Sequence, residues 1–250
     1  MTPKTFFTLC FCSLFFVQCH HTDSHHLRIK GQIEGVKDSL VFMMSGFSNG
    51  ELVAKDTTIM TDNGAFDLTL PLDSPLLLEV FDGATDRNGG YAGFNTLAVP
   101  GEELTLTGNI ATECELGGSD FYRQLNEAEK GIRPITGKMN QLAKDYGRLQ
   151  DQGKMTDALM ERFSKRGLML HLQREKAIFK FVKAHPDEEV SAALIHYLDV
   201  DSAKKLVKML STRVQKGRLK TFFGPIVEAQ PMPVQLKKET CPAKEKPVVR

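Results

Sequence analysis

Three places in this chain carry side chains whose type and spacing bear on chemistry. The first is Gly46-Phe47-Ser48-Asn49-Gly50, which matches the G-x-S-x-G pattern of serine hydrolases. That chemistry needs the serine on a sharp turn from a strand into a helix, with a histidine base nearby. Leu40 to Ser45 before it reads as a strand, but Glu51 to Met60 after it reads as another strand, and no α/β alternation surrounds it. A turn built from Gly, Ser and Asn is the expected meaning, and no catalytic residue is assigned. The second is His20, His21, His25 and His26 with Asp23, a set of imidazoles and a carboxylate suited to zinc, copper or nickel. These residues lie in a stretch without apolar periodicity, which must lose chain entropy to chelate. A solvated tether is therefore expected, with no metal and no other cofactor. The third is the segment Asp82 to Asn95, whose Asp82, Asp86, Asn88, Gly89 and Gly90 suggest calcium. It lacks the twelfth-position glutamate and the flanking helices of an EF-hand. It reads as a long connection, and because long loops on rigid scaffolds carry function, Tyr91 and Phe94 are the candidate partner contacts. His171, His185 and His196 are spread over helical segments with no ligand spacing.

The five cysteines divide by position. Cys10 and Cys12 fall in the apolar run Phe6 to Val17, which follows Lys4 and ends at Gln18-Cys19. A dozen apolar residues are too few for the roughly 20 of a spanning helix, so the run reads as the core of an export signal. Leu14-Phe15-Phe16-Val17-Gln18-Cys19 resembles a bacterial lipobox, which makes Cys19 the expected acylated first residue of the mature chain. Gln18 stands where a small residue is usual, and simple secretion is the alternative. Cys114 and Cys241 remain. An exported protein permits a disulfide between them, and two unpaired thiols are the equal alternative, since pairing needs Cα atoms within roughly 7 Å.

Charge is unevenly placed within a formal total of +1. Residues 27–120 hold five Lys/Arg against fifteen Asp/Glu, and residues 203–250 hold twelve against three. The two regions can attract each other, and the basic end otherwise reads as a solvated helix and tail. Export argues against a nucleic-acid partner.

These groups must be positioned by two kinds of element. From Leu27 to about Asn109, short runs rich in Val, Ile, Leu, Phe and Thr alternate with turn signals, as in an all-β sandwich or barrel. The expected strands are Leu27–Glu34, Leu40–Ser45, Leu52–Met60, Ala65–Leu70, Leu76–Phe81, Phe94–Val99 and Leu104–Thr107. Asp62-Asn63-Gly64 fits a tight hairpin that would bring Ile59 against Phe66. Apolar and polar residues alternate in Phe66 to Leu70 and Leu104 to Thr107, which predicts an antiparallel sheet wet on one face. After Gly117-Gly118 the period becomes helical. Helices are expected over Phe121–Lys130 behind Ser119 and Asp120, from Pro134 to about Gln152, from a Thr156 cap to His185-Pro186, from Asp187 to Leu198 and from Asp201 to Val214. Residues 225–250 carry five prolines and many lysines and read as a poorly ordered tail.

The expected organisation is a signal peptide over 1–18, an acylated Cys19 with tether over 19–26, a β domain over 27–116, a helical domain over 117–216 and a basic, Pro-rich tail over 217–250. The fold class is α+β, an N-terminal antiparallel β-sandwich or barrel followed by an all-helical segment.

A family resemblance follows from the turn-rich motifs. Ile33-Glu34-Gly35-Val36-Lys37-Asp38-Ser39-Leu40-Val41, Asp56-Thr57-Thr58, Asn63-Gly64-Ala65-Phe66, Val99-Pro100-Gly101-Glu102 and Leu104-Thr105-Leu106-Thr107-Gly108 resemble a β-sandwich domain of unknown function found in exported Bacteroidota lipoproteins. Phe181 to Asp187 followed by Val190-Ser191-Ala192-Ala193 resembles the helical linker of the same proteins. The resemblance covers about residues 27 to 215. It implies an envelope lipoprotein whose linker leads into a thioredoxin-like domain of the thiol-disulfide oxidoreductase or peroxiredoxin type. This chain has no tryptophan and no Cys-x-x-Cys, so the redox activity is not carried over. The expected function is a non-catalytic binding or accessory module, held to the membrane by its lipid and meeting an envelope protein; the periplasmic face of the outer membrane is the expected place, because His20-His21-Thr22-Asp23 has one acid and does not resemble the acid-rich export signal of surface lipoproteins. The alternative is a redox-linked partner of a thioredoxin-like envelope oxidoreductase.

Overall fold

The computed structural model describes residues 24–48, 50–84 and 93–228. Eight strands form its N-terminal half: β1 His26–Glu34, β2 Ser39–Ser48, β3 Glu51–Met60, β4 Ala65–Pro71, β5 Leu76–Asp82, β6 Gly93–Ala98, β7 Glu103–Asn109 and β8 Glu113–Gly118. They make two four-stranded sheets, the first in the order β4-β1-β7-β8 and the second in the order β3-β2-β5-β6. Phe42 of the second sheet meets Phe66 of the first with ring centroids 5.6 Å apart, so the sheets face each other across a shared core. The α+β class is as expected, with one departure from a purely antiparallel arrangement: β1 and β7 run parallel at the centre of the first sheet. Their approach requires Gly31, where a Cβ would stand 2.2 Å from the Leu106 carbonyl oxygen.

Asn63 and Gly64 form the tight turn, with φ of 50° and 81°. The turn does not make the expected hairpin. It carries the chain from the second sheet to the first, so Ile59 pairs with Leu40 and Phe66 with Gly31. Local turn chemistry was legible; the sheet change is decided by which partners bury each strand's apolar face. The eighth strand was not expected, because Glu113-Cys114-Glu115-Leu116-Gly117-Gly118 offers few apolar residues, and β7 recruits it through its backbone.

The two outer faces differ. On the first sheet the face is charged and internally paired, with Arg28 Nη2 2.6 Å from Asp67 Oδ2 and Lys30 Nζ 2.7 Å from Glu103 Oε1. On the second sheet Leu40, Phe42 and Met44 point into the core, which turns Val41 and Met43 outward. On β3 the same face carries Leu52 opposite Phe47, Asp56 opposite Met43 and Met60 opposite Ser39, and Glu79 of β5 lies opposite Met43 on its other side.

Helices follow: α1 Asp120–Lys130, α2 Arg133–Asp151, α3 Asp157–Ala184, α4 Glu189–Ala193, a 3-10 turn Leu194–Tyr197, α5 Val200–Met209, α6 Thr212–Gln215 and α7 Lys220–Glu228. Thr156 caps α3 by accepting from the Leu159 N–H at 3.3 Å, and α3 stops at His185 as expected from Pro186. Ser119 occupies the N-cap of α1 without a side-chain hydrogen bond. The expected helices 187–198 and 201–214 are each broken. Ser191 Oγ donates to the His185 carbonyl at 2.6 Å, and the Ser211 N–H donates to the Pro186 carbonyl at 2.9 Å, so both breaks tie back to the end of α3.

Two boundaries move. Helix continues to Glu228 where a tail was expected from 217, because Leu219, Phe222 and Phe223 are buried and anchor α7 despite Pro225. The β domain takes in His25 and His26 ahead of Leu27, since the His25 carbonyl accepts from the Leu72 N–H and the His26 carbonyl from the Gly101 N–H, each at 2.8 Å.

Candidate functional site

α1 closes one open side of the sandwich, between β8 at the edge of the first sheet and β6 at the edge of the second. The Asn126 amide oxygen accepts from the Leu116 N–H at 2.8 Å. The buried Tyr122 hydroxyl donates to the Leu97 carbonyl at 2.8 Å and accepts from the Val99 N–H at 3.3 Å. These bonds occupy backbone groups that a sheet edge leaves open.

Beside the β6–β7 turn, a groove of about 640 Å³ opens between α7, the end of β2 and the β4–β5 turn. Phe47, Pro75, Pro100 and Pro225 give it rigid apolar walls, Asp73, Lys220 and Glu228 set charges around it, and Ser24 lies in the lining. Arg218 fixes α7 to the sandwich. Its guanidinium pairs with Glu189 at 2.9 Å and Glu102 at 2.5 Å, and lies over the Phe121 ring at 5.4 Å. Burial works against this charge, and the two carboxylates outweigh it and raise the pKa. The attraction expected between the basic end and the acidic β region thus takes a specific form, one arginine joining α7, α4 and the β6–β7 turn.

The opposite end holds a buried polar cluster. The Tyr197 hydroxyl donates to Glu129 Oε1 at 3.2 Å, and Arg133 stands 3.9 Å from Glu129 Oε2 and donates to Asn126. Burial pushes the Glu129 carboxyl up to about 7, against the opposing pull of Arg133 and Tyr197. Arg174 donates to the Tyr197 carbonyl at 3.1 Å and lies 5.3 Å over its ring. His196 bonds the Ala193 carbonyl through Nδ1 at 2.7 Å, and burial pushes its pKa down to about 4. Its Nε2 is buried without a hydrogen-bond partner among the described residues. These groups join α1, α2, α3 and the 3-10 turn, and their chemistry is that of a buried joint.

The residues singled out from sequence are not brought together. Ser48 ends β2 and pairs with Glu51 at the start of β3, so the next element is a strand where a nucleophile elbow requires a helix. Cys114 lies on β8, half-buried, with no disulfide among the described residues. Burial pushes its thiol up to about 12, with Arg133 pulling the other way. His25 Nδ1 lies 3.0 Å from Asp73 Oδ1, and His26 opens β1. Asp82 is buried and caps the Lys37 and Ala84 N–H groups at 3.4 Å each. Phe94 sits opposite Val80 and packs against the core. Cys19, His20, His21, Tyr91 and Cys241 lie outside the described residues. Among the described residues no three of His, Cys, Asp or Glu gather as metal ligands, and no helix is long and apolar enough to cross a membrane. The groove had no sequence signal, because its walls come from four separate segments.

No family model matches this chain, and no curated protein matches it. Solved structures that resemble part of it include one titled "Trapped Toxin", at 8% identity and a TM-score of 0.24, covering 38% of this chain and 23% of that one. Listeriolysin O is similar at 6% identity and a TM-score of 0.23, covering 38% of this chain and 22% of that one. Wild-type pneumolysin is similar at 10% identity and a TM-score of 0.21, covering 38% and 23%. The chain thus spans about a quarter or less of the length of these structures.

Proposed function

We propose that this protein is a non-catalytic binding module of the cell envelope, anchored by acylated Cys19, that holds an extended segment of an envelope protein in the groove beside the β6–β7 turn. The observation that carries the reading is the place of Ser24 in the groove lining. Four residues separate Ser24 from Cys19, so five Cα steps reach at most roughly 18 Å, and a lipid at Cys19 keeps the groove beside the membrane. Proline and phenylalanine walls suit an extended chain, because they present apolar surface that loses little side-chain entropy on contact. The lipobox and the resemblance to exported Bacteroidota lipoproteins support the envelope and periplasmic placement. The high pKa of Cys114 weighs against the redox alternative in its thiol form, since the thiolate is the nucleophile.

The test is a crosslinking pull-down from native membranes with the intact chain, Cys19→Ala and Phe47→Asp, read by mass spectrometry. One envelope protein should be enriched by the intact chain and lost with Phe47→Asp. Equal recovery with Phe47→Asp removes the groove from the reading. Enrichment of a thioredoxin-like protein transfers support to the redox-partner alternative.

A further inference from the structure

α2 and α3 form an antiparallel hairpin that extends past the body. Tyr146 meets Phe163 edge to face at 5.5 Å, and Leu142 lies over Gly167. None of the residues of α2 is buried, and only Leu170, Ile178 and Val182 of α3 are. The end of α3 is held at the groove end, where Ser211 bonds Pro186 and Arg218 bonds Glu189. Arg174 meets Tyr197, and Tyr197 meets Glu129 at the far end of α1. Residues 157–170 therefore run beyond the body, away from the groove, for roughly 20 Å at 1.5 Å per residue.

Large exposed apolar side chains occur on two features among the described residues: the β2–β3 hairpin and α3. The two features carry opposite charge. On α3, Leu168, Met169 and Leu172 are 61%, 59% and 52% exposed. Helical spacing sets Arg162, Lys176 and Lys180 around them, and none of these three has a carboxylate in ion-pair reach among the described residues. On the outer face of the second sheet, Leu52 and Met60 are each 75% exposed towards the two ends of β3, and Val41 and Met43 of β2 lie between their levels. Asp56 and Glu79 flank Met43 and have no cation in ion-pair reach among the described residues. The first sheet, by contrast, pairs its own charges.

We propose that α3 of one molecule docks on the outer face of the second sheet of a second copy, and that the second copy returns the same contact. Apolar side chains meet apolar side chains, and Lys176 and Lys180 meet Asp56 and Glu79. A helix face about 24 Å long and 10 Å wide covers on the order of 500 Å² counting both partners. A stable interface takes roughly 1,200–2,000 Å², so one contact is weak and two reciprocal contacts approach the range. The closed two-fold form also avoids the open filament that a single head-to-tail contact generates.

The test is sedimentation equilibrium on the full chain in detergent and on two charge-reversed forms, Asp56→Lys/Glu79→Lys and Lys176→Glu/Lys180→Glu. The unaltered chain should dimerise, more weakly at high salt. Each reversed form alone should lose at least tenfold in association, and the two mixed should form a 1:1 heterodimer, because a basic face then meets an acidic arm and an acidic face a basic one. Circular dichroism of each form confirms that it folds. If one does not, Leu168→Asp in the arm replaces it and should likewise give monomer. A chain that stays monomeric at every concentration, reversed forms that do not combine on mixing, or a monomer that floats with phosphatidylglycerol vesicles through α3 overturns the proposal.

Discussion

The Tyr122 hydroxyl and the Leu97 carbonyl are joined by a 2.8 Å hydrogen bond that seals the exposed edge of β6 with a helix. The same oxygen accepts from the Val99 N–H, so one side chain serves two strand-edge groups. Tyr122→Phe keeps the ring and leaves both groups buried and unpaired. The expected loss is about 1–3 kcal/mol of unfolding free energy, read from urea titration. A change within error would mean that water reaches this edge.

Glu129 and His196 oppose each other across pH. The folded pKa of Glu129 lies above its ordinary value, so its contribution is fully present below about pH 4.5 and lost as pH rises through about 7. The folded pKa of His196 lies below its ordinary value, so its contribution is present above about pH 6.5 and lost as pH falls through about 4. Each effect is on the order of 3 kcal/mol, and in the shared window they largely cancel. Glu129→Gln should therefore unmask a gain in melting temperature as pH rises from 4 to 6.5. Replacing His196 by Gln should unmask a loss between 4.5 and 7. Parallel melting curves for all three proteins would refute this account.

Cys114 should resist alkylation. With its thiol pushed up to about 12, only a trace of thiolate exists at pH 8, and half-burial slows the reagent further. Iodoacetamide labelling followed by peptide mass mapping should modify Cys114 only when denaturant unfolds the β domain. Rapid labelling in buffer would show that β8 opens locally.

Arg218→Ala should release α7 before anything else. Its partners Glu102 and Glu189 lose their shared cation, and because the arginine is partly solvated the cost is modest, roughly 1–2 kcal/mol. Hydrogen exchange should quicken at Phe222 and Phe223 while the β2 and β5 amides keep their protection. Uniform quickening across the chain would place Arg218 in the global core instead.

The fold was legible where burial writes a period. Alternation in Leu104 to Thr107 and the three- and four-residue steps of α3 identified their elements to within a residue or two. Legibility failed where a tertiary partner overrides local composition. β8 exists because β7 offers it a backbone, and α7 exists because Phe222 and Phe223 find a core. Gly46 to Ser48 read as part of a turn and instead extend β2, whereas the strand read over the residues that follow is β3. The groove was not readable, since Phe47, Pro75, Pro100 and Pro225 have no common spacing. The polar joint was also silent, because Glu129 looks like any surface residue of an amphipathic helix until Tyr197 arrives from 68 positions away.

Ser24 and Glu228 both line the groove, while the turn after α2 at Gly153, with φ of 63°, stands with open space around it. Connectivity and architecture are therefore separable in this molecule. A circular permutant that links Glu228 to Ser24 by a short flexible spacer and starts at Lys154 keeps every strand and helix intact. It would carry its new ends at the tip of the α2–α3 hairpin, and a sequence displayed there would point away from the groove.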